Sequence, residues 1–165
     1  MAGTTVDAGA NTRPAPQQDA VALLKADHRK VEDLFEAFEK AKGADKKAGL
    51  VKQICTELKI HTVIEEDLLD EAYVEHDAAK KLIAELEASA PDEEFYDAKV
   101  KVLSEEIEHH VEEEEKRAEG MFAQAKKAGL DMDALGDEMA ARKASLMADA
   151  KAGVEPPSEP TTFKE

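Results

Sequence analysis

Followed at alternating steps of three and four residues, the apolar positions of this chain draw four stripes of the kind that lines one side of a helix. The first runs Val21, Leu24, His28, Val31, Phe35, Phe38, and the second Val51, Ile54, Leu58, His61, Glu65, Leu68. A third reads Ala72, His76, Ala79, Ile83, Leu86. A longer fourth reads Val100, Leu103, Ile107, His110, Glu114, and reaches Met121 after an imperfect step at Arg117. Each stripe predicts a helix with one buried face. Each also carries a polar interruption on that face, and the interruptions are histidines and glutamates.

Three breaks punctuate the pattern, at "KGADKK" around Gly43, "ASAPDEE" around Pro91 and "KKAGLDMD" around Gly129. Ser89 and Asp131 suit helix N-caps, with Pro91 inside a first turn. Beyond Gly129, Met132, Leu135, Met139 and Met147 predict an added helix. Residues 1–16 and 153–165 are rich in Pro, Gly and Thr without a periodic apolar face, which predicts flexible tails. The expected organisation is an N-terminal tail (1–16), a helical domain (17–128), a C-terminal helical extension (129–152) and a second tail (153–165).

Composition narrows the class. At 165 residues the chain suits one domain with a real core. Ala, Glu, Lys, Leu and Asp dominate and aromatics make up 4%, so the fold class is all-α. A formal charge of −16 repels phosphate backbones and anionic lipid heads, which argues against nucleic-acid and membrane-surface partners. The start lacks the apolar stretch of a secretory signal, and no apolar run approaches the roughly 20 residues of a membrane span. The expected location is cytoplasmic. Cys55 is the one cysteine, so there is neither an intramolecular disulfide nor a thiolate metal site, and Cys55 reads as a small buried apolar residue.

Four of the five histidines lie on the stripes, together with two glutamates that each follow a histidine by one turn: His61 and Glu65 in "HTVIE", His110 and Glu114 in "HVEEE". Residues four apart differ by about 40° around a helix, so each pair reaches one side of a centre. Several imidazoles and two carboxylates buried together cost several kcal/mol per uncompensated ion, and a bound cation compensates them most simply. Imidazole with carboxylate suits iron, manganese or zinc, and two carboxylates able to bridge suggest two ions. The Glu-x-x-His pairs of ferritin-like bundles do not occur on these stripes, and the His-Glu-x-x-His of zincins is absent. On the fourth stripe Glu113 lies about 60° from His110 on its other side, a candidate outer partner, whereas Glu112 and Glu115 read as solvated surface. Asp27 and Glu66 adjoin candidate ligands and read as solvated or supporting groups.

"LLKADHRKVEDLFEAFEKA", "ELKIHTVIEEDLLDEAYVEHDAAKKLIAEL" and "IEHHVEEEE" together resemble the signature blocks of the hemerythrin-like, HHE cation-binding family. "AGLDMDALGDEMAARKASL" resembles the C-terminal extension of its bacterial members. The resemblance implies an up-down four-helix bundle around a non-haem, carboxylate-bridged pair of iron ions. Its ligands would be His28, His61, Glu65, His76, His110 and Glu114, with Glu65 and Glu114 bridging. The function it implies is binding of a small ligand (oxygen, peroxide or nitric oxide) in the handling or sensing of oxidants or iron. That is a metal- and oxygen-binding protein more than an enzyme. The alternatives are a di-iron peroxidase or ferroxidase, and a metal-free helical interaction protein.

The chain departs from the family's oxygen carriers in three places. Where they have a second histidine on the third helix, this chain has Lys80, which would leave an ion more open. They place the last carboxylate five residues after its histidine, at Glu115 here. Counting rotation, Glu115 is about 140° from His110 and Glu114 about 40°, which favours Glu114. Finally, ten residues without Gly or Pro, "EDLLDEAYVE", separate Glu65 from His76. A tight turn near Asp70 makes a monomer; a continuous helix would set His61 and His76 about 22 Å apart and require a helix-swapped homodimer.

Overall fold

The computed structural model describes residues 19–66, 70–116 and 119–160, with the side chains of residues 70–75 left aside. Within them the chain is all-helical, with six helices: α1 Ala20–Lys40, α2 Ala44–Glu65, α3 Asp70–Ala88, α4 Tyr96–Glu115, α5 Met121–Lys127 and α6 Met132–Lys151. None is long and apolar enough to cross a membrane.

Local chemistry sets most of the boundaries. Asp19 caps α1 by accepting from the Ala22 N–H at 2.8 Å, and Asp131 caps α6 by accepting from the Ala134 N–H at 3.1 Å. Gly43 precedes α2 with φ 93°, a left-handed conformation that favours glycine and lets the chain reverse after α1. Ser89 does not cap an N-terminus. Its hydroxyl donates to the Glu85 carbonyl at 2.8 Å and closes the end of α3, and α4 begins only at Tyr96, after turns through 91–95. A serine bonding back to i−4 serves a helix end as well as a start, and the sequence does not distinguish the two.

The stripes become two apolar clusters. The larger joins Val31, Phe35 and Phe38 of α1, Ile54 and Leu58 of α2, Ile83 and Leu86 of α3, and Val100, Leu103 and Ile107 of α4. The smaller joins Val21 and Leu24 of α1, Ile64 of α2, Phe122 of α5 and Met139 of α6, with Met132, Leu135 and Leu146 packed against it. Full burial of each large aliphatic or aromatic side chain contributes about 1.5–3 kcal/mol, so these clusters hold the helices in register. Cys55 is buried in the larger cluster, and burial pushes its thiol up to about 12. Tyr96 is buried there too, while the side chain of Tyr73 lies outside the described residues.

α2 ends at Glu65 and α3 begins at Asp70, and the two pack against each other. Lys59 of α2 meets Glu87 near the far end of α3 at 2.5 Å, while Glu66, seven residues further along the chain, meets Lys80 at the middle of α3 at 2.5 Å. The helices therefore run in opposite directions, and a continuous α2–α3 helix is excluded within this chain. The chain reverses without Gly or Pro, so the turn left no compositional mark. His61 and His76 therefore meet within one chain, and helix swapping is not needed to bring them together.

α6 packs on α1 and α2. After it, residues 154–160 carry no helix, but Pro156 is buried and Glu155 reaches the buried Lys59 at 3.2 Å. Residues 1–16, expected as a tail, lie outside the described residues.

Candidate metal centre

A polar layer separates the two apolar clusters. On α1 it interrupts the run between Leu24 and Val31 with Asp27 and His28, and on α2 it follows Leu58 with His61, Thr62 and Glu65. α3 contributes His76, Asp77 and Lys80, and α4 His110 and Glu114. All six residues singled out from the stripes are buried and come together: His28, His61, Glu65, His76, His110 and Glu114.

The imidazoles present their Nε2 atoms to the two carboxylates. Glu65 Oε2 lies 3.1 Å from His61 Nε2, 3.0 Å from His76 Nε2 and 3.5 Å from His110 Nε2. Glu114 receives His28 Nε2 at 3.1 Å and His110 Nε2 at 2.9 Å. Two groups form, each with its ligand atoms within 4.8 Å of one another: His61, Glu65, His76 and His110; and His28, His61 and Glu114. His61 belongs to both.

These separations resemble hydrogen bonds in length but not in direction. His28 Nε2, His61 Nε2 and all four carboxylate oxygens of Glu65 and Glu114 are buried without a hydrogen-bond partner. Orphaned buried polar atoms are expensive, and six of them facing one another ask for something between them. Ligands bonded to one ion at about 2.1 Å stand about 3.0–3.4 Å apart in octahedral or tetrahedral shells, close to the 2.9–3.5 Å separations seen here. The donor set and its spacing fit a cation.

On the outer side of three rings, Nδ1 faces a carboxylate that is itself held by a cation. His28 Nδ1 is 2.9 Å from Glu115 Oε1, and Glu115 is held by Arg29 at 2.7 Å and Lys25 at 3.6 Å. His76 Nδ1 is 3.5 Å from Glu66 Oε1, which Lys80 holds at 2.5 Å. His61 Nδ1 is 3.8 Å from Asp27 Oδ2, and the other oxygen of Asp27 pairs with Lys143 of α6. Carboxylates behind metal-binding imidazoles fix ring orientation and raise ligand basicity.

Two expectations about the acidic run need correction. Glu115 is not solvated surface: at the end of α4 it turns toward α1, where Lys25, His28 and Arg29 share one face at helical spacing. Glu113 is not a partner of the rings; it pairs with Lys116 and is 45% exposed. Lys25 and Arg29 are visible in the sequence as cations flanking His28, but that they meet Glu115, 86 positions beyond Arg29, is a tertiary fact. Gly120 is buried just past α4, where a Cβ would crowd the Glu114 carbonyl and lie 2.6 Å from that of Lys116, so the chain needs glycine beneath Glu114.

Residues 19–122 match the family model of the Hemerythrin HHE cation binding domain. The chain belongs to this family. No curated protein and no solved structure matches it. The matched segment contains all six inward-facing histidines and glutamates and stops short of α6. Membership of a cation-binding family and a buried His/Glu cluster that fits a metal site point the same way.

Electrostatics of the metal-free protein give a pH prediction. Burial works to lower the pKa of His61, but Glu65 and Asp27 outweigh it and the ring is pushed up from 6.5 to about 9. Burial works to raise Glu65, but His61, His110 and His76 outweigh it and hold it well below the usual carboxylate range. The raised histidine contributes stability that is full below about 6.5 and lost as pH climbs through about 9. The depressed carboxylate contributes stability present above about 4.5 and lost as pH falls toward its low native value. The melting temperature of metal-free protein is therefore expected to drop by several degrees between pH 6.5 and 9.5. Metal-loaded protein, with a cation where the proton was, is expected to hold its melting temperature; parallel thermal scans of the two forms check this.

Proposed function

We propose that this chain is a non-haem di-iron protein, its four long helices α1–α4 forming an up-down bundle around a carboxylate-bridged pair of ions. His28, His61, Glu65, His76, His110 and Glu114 would hold the ions, with Glu65 and Glu114 between them. The observation that carries this reading is the convergence of four Nε2 atoms on two buried carboxylates whose oxygens have no hydrogen-bond partner. The di-iron pair would supply reversible redox chemistry and an open coordination position for a small ligand.

The ligand would be small. A cavity of about 20 Å³ adjoins the rings, with Val31, Leu58, Ala79, Ile107 and Val111 among its walls. That is about the space of one water-sized molecule, which suits oxygen, peroxide or nitric oxide and not an organic substrate. Lys80 lies one turn beyond His76 and turns to Glu66, leaving that side of the rings without a further imidazole. The protein would then bind such a ligand in oxidant or iron handling or sensing.

Nitric oxide added anaerobically to ferrous-loaded protein tests this. The expected result is a saturable change in the visible spectrum, lost in a His76→Ala variant. A spectrum that nitric oxide leaves unchanged contradicts small-ligand binding.

A further inference from the structure

His61 is the residue common to both ligand groups, so the orientation of one ring bears on both ion positions. To bind through Nε2 in its neutral form, the ring carries its proton on Nδ1, and a buried Nδ1–H needs an acceptor. His61 Nδ1 is buried without a hydrogen-bond partner, and Asp27 Oδ2 faces it at 3.8 Å, less than 1 Å beyond hydrogen-bond length. Asp27 is itself 5% exposed, and a carboxylate so buried needs a counter-charge. That charge is the ammonium of Lys143, which pairs with Asp27 Oδ1.

Lys143 lies on α6, beyond the segment that matches the family. For His28 and His76 the corresponding cations, Arg29 and Lys80, come from within that segment. We propose that α6 completes the metal centre: Lys143 and Asp27 are positioning residues, Lys143 holding the Asp27 carboxylate where it accepts the Nδ1 proton of His61 and fixes the ring with Nε2 toward the ions. The inference rests on the metal-binding reading above. It gives the C-terminal extension a role in the site besides covering the apolar cluster around Phe122 and Met139.

The test measures ferrous iron affinity by competition with a chromogenic chelator, for the full chain and a set of variants whose folding is checked by circular dichroism. Lys143→Met is expected to weaken iron binding about 10–100-fold, and Lys143→Arg, which keeps the charge, to restore most of it. A double variant, Asp27→Asn with Lys143→Met, is expected to bind no more weakly than Asp27→Asn alone, because Lys143 acts through Asp27. A purely structural lysine would lower the metal-free melting temperature and leave affinity and additivity untouched. Lys151→Met, on the exposed surface of α6, serves as the control. Should Lys143→Met fail to fold, the Asp27→Asn affinity carries the comparison, with the same 10–100-fold loss expected. Wild-type affinity in Lys143→Met, alongside a large loss in His61→Ala, overturns the inference and leaves the metal centre standing. A wild-type chain that binds no more iron than His61→Ala overturns both.

Discussion

Glu65→Ala is expected to abolish iron loading and to uncouple the fold from metal. Glu65 is wholly buried and faces His61, His76 and His110 at 3.0–3.5 Å, so its removal takes the anion away from three rings at once. Loss of an outer partner behind a metal ligand costs about 10–100-fold in affinity, and loss of the ligand itself should cost more than about 100-fold. The variant should melt at the same temperature with or without iron. Iron content and paired thermal scans check it; a Glu65→Ala protein that still loads iron and gains stability from it contradicts the assignment.

Chelation is the second large effect. A cation that binds the native state but not the unfolded chain stabilises by mass action, by about 2.7–4.1 kcal/mol when present at 100–1,000 times its dissociation constant. For a chain of this size each kcal/mol moves the melting temperature by about 2–4 °C, so stripping the metal should lower it by about 5–15 °C. Readdition of ferrous iron under anaerobic conditions should restore it. Glu114→Ala should mimic the chelated protein, since Glu114 joins His28 to His110 across the layer. An unchanged melting temperature on chelation would favour the metal-free alternative, a helical interaction protein whose inward polar groups form hydrogen-bonded pairs.

The inward faces of α1 to α4 were legible over the described residues, because the period of a helix ties sequence spacing to direction; Leu68 and Ala72 of the stripes lie outside the described side chains, and Met121 is only half-buried. His28, His61, His76 and His110 continue apolar stripes, and the burial that the stripes imply is what the structure has. The same counting separated Glu114 from Glu115, which differ by one residue in the sequence and by about 100° around α4. What the spacing did not carry is everything that depends on a partner in another helix. Glu115 reads as surface until α1 brings Arg29 and His28 against it. Asp27 reads as a solvated or supporting group until α6, 116 positions on, supplies Lys143. The reversal between α2 and α3 was ambiguous for another reason: the residues between Glu65 and His76 include neither Gly nor Pro, and it is packing against α2, not local conformational preference, that fixes the direction of α3.

The family match and the buried cluster establish a cation-binding domain that suits a metal. The proposal of two irons rests on the donor set, imidazole and carboxylate without thiolate, in two overlapping groups sharing His61. Counting the ions tests that proposal most directly. Protein stripped with chelator, reloaded anaerobically with ferrous iron and freed of excess should be measured by elemental mass spectrometry against a quantified protein concentration. Two irons per chain are expected, falling below one in Glu65→Ala. Fewer than one iron per wild-type chain, or equal iron in both proteins, would contradict the proposal.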